Sequence, residues 1–251
     1  MISKIRTEIA TGAMVLCLTA WMGAPLAAQS VAQVGARKAA ARFATVSPGE
    51  KLENLDLLKE KLEKYHACTC RCGCYAHDLD AQAAKAIAFL KKRTAGVLRG
   101  EKLALVLDID ETTLSNYEEM EKKGFAYDAK AFAVWENEAA APAIPGTLKL
   151  YKEAQRLGVA VFFLTGRPES ERAATERDLQ KQGFEQWQEL ILRSASEEKE
   201  TAKVYKSAER GRIEKEGYRI VLNVGDQWSD LRGVPEAEYS VKYPNPYYFI
   251  R

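Results

Sequence analysis

Apolar residues between positions 50 and 93 recur at steps of three and four, which is the spacing of one face of a helix. The first run starts at residue 50 and predicts a helix with one buried face. The apolar positions on that face are Leu52, Leu55, Leu58, Leu62 and Tyr65. A second, Ala-rich helix is predicted from about Asp78 to Arg93, with inward positions Ala83, Ile87 and Leu90. Together they form a predicted N-terminal helical extension over residues 50–98.

After Gly100, short apolar runs alternate with amphipathic stretches, a pattern typical of an α/β fold. The predicted strands are Lys102 to Leu107, Val159 to Leu164, Glu189 to Leu192, Arg219 to Val224 and Glu238 to Val241. The predicted helices lie near Thr147 to Arg156, Glu169 to Gln182, Thr201 to Glu216 and Trp228 to Arg232. Apolar strands separated in this way indicate a parallel sheet with helices on both faces. A binding site is expected beyond the carboxyl ends of its strands.

Polar side chains stand where the predicted strands end. The candidates are Asp108, Asp110 and Glu111 after the first strand, Thr165, Gly166 and Arg167 after the second, Lys206 on the helix after the third, and Asp226 and Asp230 after the fourth. Carboxylates repel one another, so burying several at one edge is expensive unless a cation or a proton shares the site. The pattern therefore predicts one site that needs positive charge.

The same acidic residues also have a structural interpretation. Asp and Thr often cap the start of a helix, because their side chains accept hydrogen bonds from its free amides. Asp110 or Asp226 alone would fit that interpretation. Their recurrence at several strand ends favours a shared functional site. Glu111 is predicted to cap or orient its neighbours rather than to ligate.

The composition fits one main domain that binds a small molecule. The chain has 251 residues, of which 47% are hydrophobic and 29% are charged, enough for a sizeable core. Its 37 Lys and Arg residues nearly balance 35 Asp and Glu residues, and both are scattered along the chain. This charge pattern argues against a nucleic-acid polymer as partner. The oligomeric state is left open.

The first 28 residues predict a secretory signal peptide. Lys4 and Arg6 precede an apolar run from about Ile9 to Met22, and small residues follow before Gln29. The apolar run is too short to favour a permanent membrane span. We therefore expect an exported protein, periplasmic or secreted, with no stable membrane anchor after cleavage. Residues 29–49 are rich in Ala, Arg and Lys and predict a flexible arm.

The cysteines that remain after the predicted cleavage are Cys68, Cys70, Cys72 and Cys74. An even number of cysteines in an oxidising compartment favours disulfides, and four cysteines allow three pairings. Alternating thiols also suit a soft metal such as Cu(I) or zinc. The neighbouring His66 and His77 do not have zinc-finger spacing and are predicted to be structural or exposed. The residues alone do not choose between the two possibilities.

The strand-end motifs resemble the haloacid dehalogenase (HAD) superfamily of phosphotransferases. DIDET, TGR and GDQWSD occur in the order of that superfamily. The segments APAIPGTLKLY, VFFLTGRPES, GYRIVLNVGDQWSDL and YPNPYYF resemble its acid phosphatase subfamily IIIB, a branch with class B-like bacterial enzymes, plant acid phosphatases and vegetative storage proteins. The similarity runs from about Tyr75 to the end, whereas CTCRCGC departs from the pattern. It implies a HAD-like Rossmannoid sheet in a catalytic domain over residues 99–251.

The resemblance implies a chemical role for each matching residue. Asp108 would be the nucleophile that takes the phosphoryl group, and Asp110 would protonate the leaving alcohol and then activate water. Lys206 would hold Asp108 and the phosphate together, while Lys203 is predicted to be solvated. The implied phosphate-binding residues are Thr165, Gly166 and Arg167. For Arg167 the alternative is a surface residue that forms an ion pair.

The resemblance also implies a Mg²⁺ site. Asp226 would ligate the ion together with Asp108 and the backbone carbonyl of Asp110, and Asp230 would complete or support the ligand set. Hard oxygen ligands of this kind suit Mg²⁺. The cation would reduce the repulsion between an ionised carboxylate and a phosphomonoester dianion.

The connection after the first strand is longer than usual and predicts a small helical cap over about residues 114–145. The aromatic residues of this segment are Tyr117, Phe125, Tyr127, Phe132 and Trp135. Some would form the core of the cap, and one or two would stack on a nucleoside or aryl leaving group.

The sequence thus predicts an exported Mg²⁺-dependent acid phosphatase. It would hydrolyse small phosphomonoesters, with nucleoside monophosphates among the candidates, through a phosphoaspartate. The alternative is a storage or phosphate-binding protein of weak activity on the same fold. Because Asp108 is present with all of its implied partners, the sequence favours the enzyme.

Overall fold

The computed structural model describes residues 52–70 and 73–250, and almost all of them belong to one compact unit that begins at Asn54. Its helices are α1 (Leu55–Ala67), α2 (Tyr75–Thr94), α3 (Tyr117–Lys122), α4 (Ala129–Glu138), α5 (Pro145–Arg156), α6 (Arg172–Lys181), α7 (Ala202–Lys215) and α8 (Trp228–Leu231). Its strands are β1 (Lys102–Leu107), β2 (Ala160–Pro168), β3 (Glu189–Arg193), β4 (Tyr218–Gly225) and β5 (Tyr239–Lys242). The predicted signal peptide and arm lie outside the described residues and stay predictions.

The five strands form one parallel sheet in the order β3-β2-β1-β4-β5. β1 is central, with Leu105 opposite Val161 of β2 on one side and opposite Leu222 of β4 on the other. Because all strands run in the same direction, the segments after β1, β2 and β4 lie side by side at one edge. The predicted α/β fold is confirmed.

Helices cover both faces of the sheet because successive side chains of a strand point to opposite faces. Leu105 and Leu107 of β1 belong to a buried cluster that also contains residues of α2 and α5. Val106 belongs to a second buried cluster, with Tyr205 and Ile213 of α7. This packing fixes α7, and with it Lys206, against the sheet.

The first predicted helix is not buried as expected. α1 begins at Leu55 rather than at residue 50, and none of its residues, all of them described, is buried. The exposed positions of the predicted face are Leu52, Leu55 and Leu58. Leu62 and Tyr65 are half-buried, so the prediction of a buried face is wrong. The spacing of apolar residues shows that they share one face of the helix, but it does not show whether another segment packs against that face. In α2 the predicted inward positions do lie against the core: Ala83, Ile87 and Leu90.

The second strand is longer than predicted. β2 continues past Leu164 to Pro168, so Thr165, Gly166 and Arg167 lie within the strand and not after it. The pairing of β2 with β3 shifts its register between Leu164 and Pro168. The single helix predicted next is divided into a short 3₁₀ turn followed by α6. The longer strand places Arg167 beside the turn that follows β1.

In the cysteine-rich turn between α1 and α2, the sulfur atoms of the described cysteines Cys68, Cys70 and Cys74 lie close together. Cys70 takes part in a disulfide, and its Sγ is 2.9 Å from Sγ of Cys68. The buried Cys74 thiol donates to the carbonyl of Cys70 at 2.8 Å. Cys72 lies outside the described residues, so the full pairing stays a prediction.

The two histidines are in the settings that the sequence predicted. His66 stacks on Tyr117 with ring centroids 3.3 Å apart, and its Nδ1 is 2.9 Å from the Tyr247 hydroxyl. His77 is exposed.

Among the helices of the described residues, none has both the length and the apolar character that a membrane span requires.

Candidate active site

The turn after β1 sets the direction of the acidic side chains. The amides of residues 112–114 all donate to the carbonyl of Ile109, at 2.7 to 3.2 Å. Glu111 has φ 55°, in the left-handed region that residues other than glycine seldom adopt. Its carboxylate accepts hydrogen bonds from the Asn116 amide at 2.6 Å and from the Tyr248 hydroxyl at 2.9 Å. Glu111 therefore holds the turn, as predicted, and burial raises its pKa to about 7.

Asp108 lies at the end of β1 beside Lys206 of α7. Lys206 Nζ is 2.6 Å from Asp108 Oδ1 and 2.6 Å from Asp230 Oδ1, and all three side chains are buried. Burial raises the pKa of Asp108 well above its usual range, although the neighbouring Lys206 opposes the shift. Burial would lower the pKa of Lys206, but its two carboxylate partners outweigh burial and raise it. Lys206 is thus a charged, buried lysine, whereas Lys203 is exposed.

Asp226 follows β4 and joins the same cluster from the neighbouring strand. The hydroxyl of Thr112 is 3.2 Å from Asp108 Oδ2 and 3.2 Å from Asp226 Oδ1, so it can donate to either. Asn245 Nδ2 donates to Asp226 Oδ2 at 2.6 Å. Burial, followed by the charge of Asp230, raises the pKa of Asp226 to about 6. The cluster therefore concentrates negative charge at one point.

Three carboxylates of this cluster fit a divalent cation. One oxygen each from Asp108, Asp226 and Asp230 lies within 4.8 Å of the others. Carboxylate oxygens are the hard ligands that Mg²⁺ and similar cations prefer. The raised pKa values of Asp108 and Asp226 reflect burial and mutual repulsion, which a cation would relieve.

The side chain of Asp110 has different partners. Arg167 Nη2 is 2.6 Å from Asp110 Oδ1, and Arg167 Nε lies 3.1 and 3.2 Å from the two carboxylate oxygens. Asn116 Nδ2 donates to Asp110 Oδ1 at 2.8 Å. Burial would raise the pKa of Asp110, but Arg167 and Asn116 outweigh it and hold the pKa below its ordinary value. Two aspartates that are two positions apart in the sequence thus occupy opposite electrostatic environments.

The predicted phosphate-binding residues lie at the end of β2, next to β1. Thr165 is buried, and its hydroxyl oxygen accepts a hydrogen bond from the Arg167 amide at 3.1 Å. Gly166 and Arg167 line the same cavity as Asp108. The side chain of Arg167 is engaged with Asp110 and is buried in the strand end. All the predicted site residues therefore meet at one edge of the sheet, and their individual roles stay predictions.

A cavity of about 660 Å³ opens over this edge, between the cap helices and the C-terminal residues 247–250. Its aromatic lining residues are Phe125, Tyr127, Phe132, Tyr247, Tyr248 and Phe249. Three of the five aromatic residues predicted for the cap therefore face the cavity. Tyr117 and Trp135, by contrast, are buried in the protein. The cavity is of the size that encloses a small organic ligand.

Sequence reasoning missed several residues that hold the site in place. They are Thr112, Asn116, Glu136, Glu171, Asn245 and Tyr248. Most lie in the cap or near the C-terminus, where the rule that sites follow strand ends does not apply. The YPNPYYF segment, which contains Asn245 and Tyr248, was the signal that could have pointed to two of them.

The structure defines an α/β protein with a buried lysine and clustered carboxylates at the carboxyl edge of a parallel sheet. Residues 28–251 match the sequence model of the family described as HAD superfamily, subfamily IIIB (acid phosphatase), and the chain belongs to that family. The predicted resemblance is confirmed.

Known relatives include both enzymes and storage proteins by name. The chain is 45% identical over 148 residues to Acid phosphatase 1 of Solanum lycopersicum, covering 58% of each chain. It is 35% identical over 150 residues to Vegetative storage protein 1 of Arabidopsis thaliana, covering 58% of this chain and 54% of that protein. The match thus spans less than two thirds of the length of these curated relatives.

A solved structure shares the fold. The class C acid phosphatase from Bacillus anthracis with tungstate bound superposes with a TM-score of 0.63 at 22% identity, covering 78% of this chain and 86% of that chain. At this identity the likeness supports the fold and not a particular substrate.

Proposed function

We propose that this protein is an exported, Mg²⁺-dependent acid phosphatase that hydrolyses small phosphomonoesters through a phosphoaspartate on Asp108. The observation that carries the proposal is the convergence of Asp108, Lys206, Asp226 and Asp230 at the carboxyl edge of the sheet. A buried carboxylate beside a charged lysine is a nucleophile prepared for an anionic substrate.

The residues divide the proposed reaction between them. An oxygen of Asp108 attacks phosphorus, the bond from phosphorus to the ester oxygen breaks, and Asp110 gives a proton to the departing alkoxide. Because Arg167 and Asn116 hold the pKa of Asp110 below its ordinary value, Asp110 must take up this proton as the substrate binds, when the nearby negative charge of the phosphate favours the protonated carboxyl group. Asp110 then takes a proton from water as that water attacks the phosphoaspartate, which releases phosphate and restores Asp108. Lys206 offsets negative charge on Asp108 and the phosphoryl oxygens throughout. A divalent cation held by Asp108, Asp226 and Asp230 would supply further positive charge to the phosphoryl group.

Nucleoside monophosphates are the substrates we propose first. Phe125, Tyr127 and Phe132 line the cavity on the cap side, and aromatic rings of this kind can stack on a nucleobase. Export is proposed from the basic start, apolar run and small residues of the N-terminal segment.

The test is phosphate release by the purified protein from p-nitrophenyl phosphate and from nucleoside monophosphates. Activity should fall on treatment with a chelator and return with Mg²⁺. Asp108→Asn should lose nearly all turnover, because the amide is a poor nucleophile. Near wild-type turnover in Asp108→Asn would reject the nucleophile. A folded wild-type protein that binds phosphate but releases none from any ester would instead favour the storage alternative.

A further inference from the structure

The carboxylate of Asp110 is held by two side chains from different parts of the chain. Arg167 reaches it from the end of β2, at 2.6 Å between Nη2 and Oδ1. Asn116 reaches it from the segment before α3, at 2.8 Å between Nδ2 and Oδ1. A proton donor must lie within hydrogen-bond reach of the atom it protonates, so these two contacts fix where Asp110 can act.

Each of these two side chains is itself held by the cap helix α4. Trp135 Nε1 donates to Asn116 Oδ1 at 2.9 Å. Glu136 Oε1 lies 3.3 Å from Arg167 Nε. Both α4 residues are buried, at 5% and 8% exposure. Two successive residues of one helix therefore contact both of the side chains that hold the Asp110 carboxylate.

Trp135 holds Asn116 but does not line the cavity in which a substrate would bind. Among the described residues, those that line the cavity include Glu136, Arg167 and Asp110 but not Trp135. The indole N–H can therefore influence the reaction through Asn116, without a contact to a substrate in the cavity. A chain of packed and hydrogen-bonded side chains is a physical route for such positioning.

We propose that α4 positions the acid-base carboxylate of Asp110, through Trp135 and Asn116 on one side and through Glu136 and Arg167 on the other. Trp135, Asn116 and Glu136 are positioning residues and not catalytic residues. The proposal rests on the phosphatase function proposed above. It implies that the cap contributes to proton transfer as well as to the wall of the cavity.

Proton transfer to the leaving group matters most when that group is a poor one. A simple alkoxide must be protonated as it leaves, whereas p-nitrophenolate is stable as an anion and needs little help. A displaced Asp110 should therefore slow alkyl esters more than p-nitrophenyl phosphate. The comparison is made on kcat/KM, which reports the steps up to departure of the leaving group.

The first variant is Trp135→Phe, which keeps an aromatic ring and removes the N–H donor to Asn116. We expect kcat/KM for glycerol phosphate to fall about tenfold more than kcat/KM for p-nitrophenyl phosphate. In an Asp110→Asn background the same change should leave the ratio of the two values unaltered. Val134→Ala, at an exposed position of α4, is the matched control and should leave both values unchanged.

The second arm uses Glu136 and keeps the test valid if Trp135→Phe does not fold. Glu136→Leu removes the oxygen next to Arg167 and should give the same selective loss. Glu136→Gln retains an oxygen there and should restore the wild-type ratio. An equal fall for both esters, or a further change of the ratio in the Asp110→Asn background, overturns the proposal. A wild-type protein inactive on both esters would reject the proposed function itself, which is a distinct result.

Discussion

At the scale of single residues, Asp108 and Asp110 show how surroundings give one side chain two chemistries. Asp108 is buried among carboxylates beside Lys206, and its pKa is raised. Asp110 is less buried, with 21% of its side chain exposed, and Arg167 and Asn116 hold its pKa below the ordinary value. The difference comes from partners that are distant in the sequence. One carboxylate therefore lies among other acidic groups, whereas the other is paired with an arginine.

Replacing Lys206 with Gln should reduce kcat by about 10²- to 10³-fold, a loss typical of removing one group that stabilises charge in the transition state. The physical reason is that Asp108 and Asp230 would lose their shared counter-charge. Turnover of p-nitrophenyl phosphate at saturation measures the effect. Lys203→Gln, at an exposed position of the same helix, is the control and should retain wild-type turnover. Equal losses in both variants would contradict the role of Lys206.

Glu136 makes the stability of the fold depend on pH. Burial, followed by the charge of Asp110, raises the pKa of Glu136 from 4.5 to about 9. Between these two pKa values the folded protein keeps a proton that the unfolded chain releases. The protonated Glu136 therefore contributes to stability at low pH, and this contribution is lost as the pH rises from about 4.5 to about 9. Glu136→Gln lacks the contribution. We expect the Tm of the variant, minus that of the wild type, to increase between about pH 5 and about pH 9.

Thermal denaturation across this pH range provides the measurement. Glu138→Gln makes the same chemical change at an exposed position of α4 and should give a constant difference in Tm. A constant difference for Glu136→Gln as well would show that Glu136 ionises alike in the folded and unfolded chain.

At the scale of elements, the end of β4 depends on a glycine. A Cβ on Gly225 would collide with the side chain of Asp230, which is the partner of Lys206. Asp230 also accepts a hydrogen bond from the Gln227 amide at 2.7 Å, which starts α8 directly after the strand. The strand end and the first turn of α8 can come this close because position 225 has no side chain.

Gly225→Ala should destabilise the protein by about 1 to 3 kcal/mol, as overpacking of a filled site does. It should also lower kcat, because displaced Asp230 would no longer hold Lys206. Gly211→Ala in α7 is the control: its Cβ would meet Pro235 at an ordinary 3.5 Å. That change should stabilise the helix by about 0.5 to 1 kcal/mol. Chemical denaturation and turnover measure both variants, and a neutral Gly225→Ala would contradict the close approach.

At the scale of the whole molecule, the site exists because β1 lies between β2 and β4. Asp108 directly follows β1, Arg167 lies near the end of β2, and Asp226 directly follows β4. Together with Asp230, Asp108 and Asp226 form a group of three carboxylates that repel one another unless a cation is bound. Folding and cation binding are therefore expected to be linked.

Mg²⁺ at about a hundred times its Kd should raise Tm by about 5 to 10 °C relative to chelator-treated protein. Asp226→Asn should abolish most of this shift, because it removes one of the three clustered carboxylates. Glu198→Gln makes the same chemical change at an exposed position and should retain the shift. An unchanged shift in Asp226→Asn would mean that Mg²⁺ binds elsewhere.

The sequence by itself determined the order of the elements and the place of the acidic residues after the apolar strands. Burial of a strand and the edge at which its polar neighbours lie follow from local pattern, so Asp108 and Asp226 could be assigned to one site. The tertiary structure decided the contacts: Arg167 binds Asp110, and Asn116 and Glu136 contact this pair. It also decided that α1 leaves Leu55 and Leu58 of its apolar face exposed. Periodicity defines which positions share a face, but the segment that packs against that face depends on how distant strands and helices are arranged in space.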